Sequence, residues 1–169
     1  LTEGVYDVGL TGMPADEPSL ECVAFCKDHM VIVTPPDERF SASQGAPMEV
    51  AQRLLTTEHM VIRNEGSGSR ATMDSILDGM GITDEALDIV ARVNDQETIK
   101  NLVESGFGIT VVSSRAVRDR VAAGRLLQFE IPCPAAERML YLAYRKNSLF
   151  DEHAQDFVTF LRLHYASEG

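Results

Sequence analysis

Apolar residues along this chain change their spacing again and again, and each change marks an element. Residues 6–10 and 23–34 carry the dense Val, Ile and aromatic content of strands, and the second run stops at Pro35-Pro36. The turn-rich stretch 34–46, with its Pro, Gly and Ser, follows as a candidate boundary. Pro47 suits a first helical position, and Met48, Ala51, Leu54 and Leu55 then recur at helical spacing. A short strand, 60–63, leads into Gly66-Ser67-Gly68-Ser69, which opens a helix with Met73, Ile76, Leu77 and Met80 on one face and Gly81 as its stop.

The strand-helix pattern repeats twice. Strand 89–93 precedes a helix carrying Ile99, Leu102 and Val103, and strand 108–112 precedes one carrying Val117 and Val121, with Gly106 and Gly124 as the stops. Strands at 126–131 and 139–144 come next. A last helix holds Ala154, Phe157, Val158, Leu161 and Tyr165 on its apolar face, with Ser148 and Asp151 as its capping box. Strands alternating with helices of this length predict parallel or mixed sheets covered by helices, because parallel neighbours need a crossover. The fold class is α/β.

Charge narrows the partners. A formal net charge of -11 leaves this segment without the basic surface that neutralises phosphates, so it is not expected to grip DNA by itself. Arg115, Arg118, Arg120 and Arg125 form its basic concentration, and their helical spacing reads as a solvated outer face. The longest apolar runs, 30–33 and 139–143, fall far short of the roughly 20 residues that span a bilayer, which points to a soluble protein with no membrane partner. The opening Leu1-Thr2-Glu3-Gly4 lacks a secretion signal's basic and apolar regions, and the natural start is expected upstream.

Cys22, Cys26 and Cys133 show no metal-type pairing, and Cys22 and Cys26 lie on a segment read as extended, about 13 Å apart and out of disulfide reach. They read as buried free thiols in a reducing compartment. No metal site and no cofactor is expected.

The strongest candidate chemistry is Arg63-Asn64-Glu65-Gly66-Ser67-Gly68-Ser69-Arg70, a glycine-serine turn between a strand's end and a helix's start. Unpaired backbone N–H groups and the positive helix end favour carboxylate, sulfate or phosphate there, and Ser67 and Ser69 add hydroxyls. A self-contained helix cap is the other reading, since Ser and Gly are common at helix starts for structural reasons alone. No Lys-Ser/Thr pair follows the second glycine, and the three-glycine dinucleotide pattern is missing, so nucleotide chemistry is not indicated. The serines lack a nucleophile-elbow setting. His29 and His59 border predicted strands, His153 and His164 lie on the last helix, and none has the context of a base. Glu85 and Asp88 read as solvated. With no catalytic residues in view, an enzyme is not predicted.

These residues resemble the LysR-type transcriptional regulators, in their C-terminal effector-binding domain. Gly4-Val5-Tyr6-Asp7-Val8-Gly9-Leu10 looks like the family's Gly-x-x-Asp-x-Gly-Ile strand, and residues 28–35 look like the strand before its next turn. The glycine-serine segment is similar to an Arg-Glu-x-Gly-Ser-Gly-Thr-Arg loop, with Asn64 and Ser69 as departures. Val103-Glu104-Ser105-Gly106-Phe107-Gly108-Ile109 looks like Val-x-x-Gly-x-Gly-Ile, and Arg145-Lys146 with the helix around 157–161 completes the series.

The resemblance implies two Rossmann-like subdomains built like type II periplasmic binding proteins, joined by crossing strands around a small-molecule cleft. Subdomain I would hold 1–27 and 139–169 and would be incomplete, its opening strand-helix-strand missing from this sequence. Subdomain II would hold 28–138. Effector contacts carried over are Thr11, Gly12, Ser67, Gly68, Ser69, Gln96 and Ser113, all at strand ends or helix starts, where open α/β sheets bind ligands. The implied partners are a small anionic effector and further copies of the chain, as a homodimer or tetramer. DNA would be reached only through an N-terminal winged helix-turn-helix absent from this sequence. A solute-binding protein of a transport system shares the architecture and stands as the alternative, with a dehydratase-like enzyme on the same scaffold behind it.

Overall fold

The computed structural model describes the chain apart from Gln44, Ser148 and residues 166–169. In chain order it contains β1 (Val8–Thr11), β2 (Leu20–Thr34), α1 (Glu38–Ser41), α2 (Pro47–Thr57), β3 (His59–Arg63), α3 (Gly68–Gly79), β4 (Asp88–Val93), α4 (Gln96–Glu104), β5 (Thr110–Ser113), α5 (Ser114–Ala122), β6 (Leu127–Glu130), β7 (Glu137–Arg145) and α6 (Glu152–Tyr165), with single 3-10 turns at Asp84–Ala86 and Pro134–Ala136. The fold is mixed α/β. None of its described helices is long and apolar enough to cross a membrane. Contacts divide the chain into two units, Leu1–Asp28 with Arg138–Gly169, and His29–Glu137. The chain passes from one to the other inside β2 and again at the start of β7.

The larger unit rests on β2 and the strands around it. The later half of β2 runs antiparallel to β5, Met30 opposite Ser113 and Val33 opposite Thr110, and antiparallel to β6, Val31 opposite Glu130. β3 and β4 are parallel neighbours. Val61 N–H donates to the Ile109 carbonyl at 2.9 Å and Ile109 N–H to that of His59 at 2.8 Å, tying the β3–β4 pair alongside the start of β5 with parallel sense.

Period-two alternation sends successive strand residues to opposite faces, and two cores result. Met30, Ile32, Met60 and Ile62 meet Ala51, Leu54 and Leu55 of α2 and Met73, Ile76 and Leu77 of α3. Val31, Val33, Val61 and Val112 meet Ile99 and Val103 of α4 and Val117 of α5. Each fully buried aliphatic side chain here contributes roughly 1.5–3 kcal/mol relative to exposure.

Two glycines of the family-like segment have separate physical reasons. Gly106 has φ +82° and ends α4, with its N–H donating to the Val103 carbonyl at 2.9 Å and Phe107 N–H to that of Leu102 at 3.0 Å. At Gly108 a Cβ would lie 2.6 Å from the His59 carbonyl oxygen, so only glycine lets β5 approach β3 closely enough to make those two bonds.

In the smaller unit β1 pairs antiparallel with β7, Val8 opposite Tyr144 and Thr11 opposite Tyr141, and β7 lies beside β2. Its core is modest: Leu142, Val158 and Leu161 are buried, with Val8, Phe25, Tyr144 and Phe150 against them. Asp28, its side chain wholly buried, receives Nε and Nη2 of Arg138 at 2.8 Å each.

Several expectations change on contact with the structure. β1 starts at Val8, and Tyr6 is exposed, because the pairing with β7 begins only there. The turn-rich stretch contains the short helix α1, capped by Asp37 and anchored by the buried Phe40. Ser148 lies outside the described residues, while the Asp151 carboxylate itself caps α6, accepting the Ala154 N–H at 2.8 Å. Cys26 and Cys133 are buried, but Cys22 is only half-buried and accepts the Ala15 N–H. Arg120 is not solvated: with its side chain 13% exposed it bridges α5 to α4 through Glu97 and Glu104. Asp88 is exposed, as expected of a solvated carboxylate, and pairs with the exposed His59 at 2.6 Å.

Candidate functional site

Parallel β3 and β4, with β5 in the same sense, each run directly into a helix, so the starts of α3, α4 and α5 line one edge of the larger unit's sheet. Strand carboxyl ends meeting helix amino ends combine unpaired N–H groups with the positive pole of each helix dipole. Ser67, Gly68, Ser69, Gln96 and Ser113 all fall on that edge. Thr11 and Gly12, in the smaller unit, follow the end of β1.

At the first helix start, Ser67 is the N-cap of α3, and its Oγ accepts the Arg70 N–H at 3.1 Å. The capping role is therefore real, and the hydroxyl hydrogen is left to donate outward. Gly68 and Ser69 form the first turn, both half-buried, and Gly66 takes φ +82° to bring the loop round. Behind the loop Arg70 is 6% exposed and held by Asp74 at 2.7 Å and Asp84 at 2.7 Å, which fixes the first turn.

The second helix start is capped by Asp95, whose carboxylate accepts the Thr98 N–H at 2.6 Å and the Thr98 hydroxyl at 2.7 Å. Those bonds, foremost the hydroxyl's, hold the Asp95 carboxyl below its ordinary range, and the positive charge of Arg63 contributes in the same direction. Gln96 is the first residue of α4 and half-buried. At the third start Ser113 is buried, caps α5 in position but without a side-chain capping bond, and sits opposite Met30. Under the turn after β1, a Cβ on Gly12 would come 2.8 Å from Nη1 of Arg138, so the glycine makes room for the guanidinium held by Asp28.

Sequence reasoning missed what lies at the end of β3. Arg63 Nε and Asn64 Oδ1 are shut off from water with no hydrogen-bond partner. Both residues belong to the same family-like motif as Ser67, but burial and pairing leave no mark on a single sequence. A recess of about 290 Å³ beside α1 and α2, lined by Arg39, Phe40, Arg53, Leu54, Thr57 and Glu58, contains none of the predicted residues. Arg39 there is taken by Glu58 at 3.0 Å and stacks over Phe40. Among the described residues no His, Cys, Asp and Glu group could hold a metal ion.

Known structures share this architecture. The effector binding domain of QuiR in complex with shikimate superposes with a TM-score of 0.79 at 18% identity, covering 99% of this chain and 75% of that one. The regulatory domain of CcmR from Synechocystis PCC6803, in complex with 2-PG, gives 0.74 at 20% identity over 97% of this chain and 76% of that one. Among curated proteins, the RuBisCO operon transcriptional regulator of Allochromatium vinosum is 27% identical over 161 residues, which is 95% of this chain and 51% of the regulator. The chain thus spans about half the length of the curated relatives it matches. The family model of the LysR substrate binding domain matches residues 1–166, and with that match running through nearly the whole sequence, the chain belongs to the LysR substrate-binding domain family.

Proposed function

We propose that this chain is the ligand-sensing part of a LysR-family transcriptional regulator and binds a small anionic effector. The observation that carries the reading is the row of helix starts on one sheet edge, led by the Ser67-Gly68-Ser69 turn, in a chain of this family. The contacts proposed on the larger unit are Ser67, Gly68, Ser69, Gln96 and Ser113, and on the smaller unit Thr11 and Gly12. The family's division into 1–27 with 139–169 and 28–138 belongs to the same proposal. So do its assembly as a dimer or tetramer, its cytoplasmic location, DNA binding through a separate N-terminal domain, and a role without catalysis.

Sensing requires that the effector bind two arrangements of the protein unequally, because a ligand shifts an equilibrium only by its differential affinity. Helix-start N–H groups and serine hydroxyls supply directional bonds to an oxyanion, each worth roughly 1.5–3 kcal/mol when the acceptor is charged. Shikimate and 2-PG, the ligands of the two solved domains, are the first probes to titrate by calorimetry. Ser67→Ala combined with Ser69→Ala is expected to weaken binding by roughly tenfold or more. Unchanged affinity in that double variant would remove the serine assignment.

A further inference from the structure

Gly12 follows the end of β1, and the antiparallel register that sets Thr11 opposite Tyr141 carries it toward the start of β7, where Arg138 stands. The Thr11 hydroxyl donates to the Met13 carbonyl at 2.5 Å and closes the turn. Gly12 does not take a positive φ, so its backbone would accept alanine. Space alone forbids one. An added Cβ would lie 2.8 Å from Nη1 of Arg138, 3.2 Å from Cζ and 3.7 Å from Nη2, all of them atoms of the guanidinium.

The end of a long side chain ordinarily swings aside from such a contact. Arg138 is prevented from doing so, because Asp28 accepts from its Nε and Nη2 at 2.8 Å each. The Asp28 side chain is 0% exposed and that of Arg138 12%, so moving the guanidinium would leave a carboxylate buried without its counter-charge. Both anchors stand on neighbouring strands. Asp28, on β2, is the last residue of the smaller unit before the chain leaves it, and Arg138, on β7, is the first on its return. The strands fix the ion pair, the ion pair fixes the guanidinium, and the guanidinium sets where the turn can lie.

We propose that Arg138 is the positioning residue of the Thr11–Gly12 effector turn, pinned by Asp28 and acting on the effector through the turn rather than by touching it. The inference rests on the effector-binding reading and adds to it the means by which the smaller unit's contacts are held. Binding groups must stay within about 0.5 Å of productive geometry, which calls for a rigid support behind them. The charge of Arg138 is matched by Asp28, so the pair contributes place to the turn and not net charge.

The test is a double-mutant cycle on the intact protein with Gly12→Ala, Arg138→Lys and the two combined, read by urea unfolding and by calorimetric titration with shikimate, 2-PG and inorganic phosphate. Arg138→Lys keeps the charge and a bond to Asp28 but loses the fork that fills the space beside Gly12. In wild type, Gly12→Ala is expected to lower both the folding equilibrium constant and the anion affinity roughly ten- to hundredfold. Once residue 138 is lysine, the same change should alter each by less than about threefold. Arg138→Lys alone should weaken the anion roughly tenfold although no charge is lost. The pair Asp28→Asn/Arg138→Gln removes both charges together and supplies a second background, in which Gly12→Ala should again be tolerated. Equal costs of Gly12→Ala in all backgrounds, coupling in stability without coupling in affinity, or wild-type anion affinity in Arg138→Lys would each overturn the proposal. If no anion binds wild type, the effector reading falls and this inference with it. If binding is lost in Ser67→Ala/Ser69→Ala but kept in Arg138→Lys, the effector reading stands and this inference alone falls.

Discussion

Replacing Gly108 by alanine tests how the parallel strands of the larger unit are held together. The new Cβ would meet the His59 carbonyl oxygen at 2.6 Å and its carbon at 3.1 Å, and both are backbone atoms that cannot swing aside. Relief requires β5 to move from β3, lengthening the Ile109-to-His59 and Val61-to-Ile109 bonds. Two such bonds contribute about 0.5–1.5 kcal/mol each. Loosened packing at Met60 and Ile109, both 0% exposed, adds about 1–3 kcal/mol. The expected cost is therefore about 2–6 kcal/mol. Gly106→Ala is the internal control: nothing lies within 4 Å of its Cβ position, and its φ of +82° alone sets a penalty of about 1–2 kcal/mol. Urea unfolding gives both values, and hydrogen exchange at the Val61 and Ile109 amides should accelerate in Gly108→Ala far more than in Gly106→Ala. If Gly106→Ala proves the more damaging, or those two amides keep their protection in Gly108→Ala, the close-approach account is wrong.

Ser67→Asp separates capping from recognition: aspartate caps as well as serine, so stability by urea unfolding should stay within about 0.5 kcal/mol, while its charge should lower anion affinity at least tenfold in calorimetry. Asp28→Asn weakens the pairing of Arg138 at a site where the Asp28 side chain is 0% exposed, and should cost about 3 kcal/mol of stability. Asp95 has a folded pKa below its ordinary 3.8, so its contribution is complete above that value and is lost as pH falls through the lower folded one. NMR titration should find the carboxyl raised strongly by Thr98→Val and more weakly by Arg63→Gln, because the Thr98 hydroxyl bond is the largest cause.

Much of the element order was readable because the chain states it locally. Pro47 opens α2, Gly106 and Gly124 sit at positive φ just past α4 and α5, and the apolar periods change where strands give way to helices. The serine turn was readable for the same reason: a strand, two glycines and an amphipathic run are contiguous. What stayed hidden depends on partners distant in sequence. Arg120 looked like one of several surface arginines until α4 brought Glu97 and Glu104 to it. Gly108 matched a family motif, but its cause is a carbonyl 49 positions earlier, at His59. Arg63 carries no local sign that its Nε would be buried without an acceptor.

The most direct test of the sensing role uses the full-length protein that carries this chain, with fluorescence anisotropy on its own promoter DNA as effector is added. The account predicts that an anion which binds this chain changes the DNA-bound population, and that the change disappears when Ser67 and Ser69 are both alanine. DNA binding that no chain-binding anion alters, or no DNA binding by the intact protein, would contradict it.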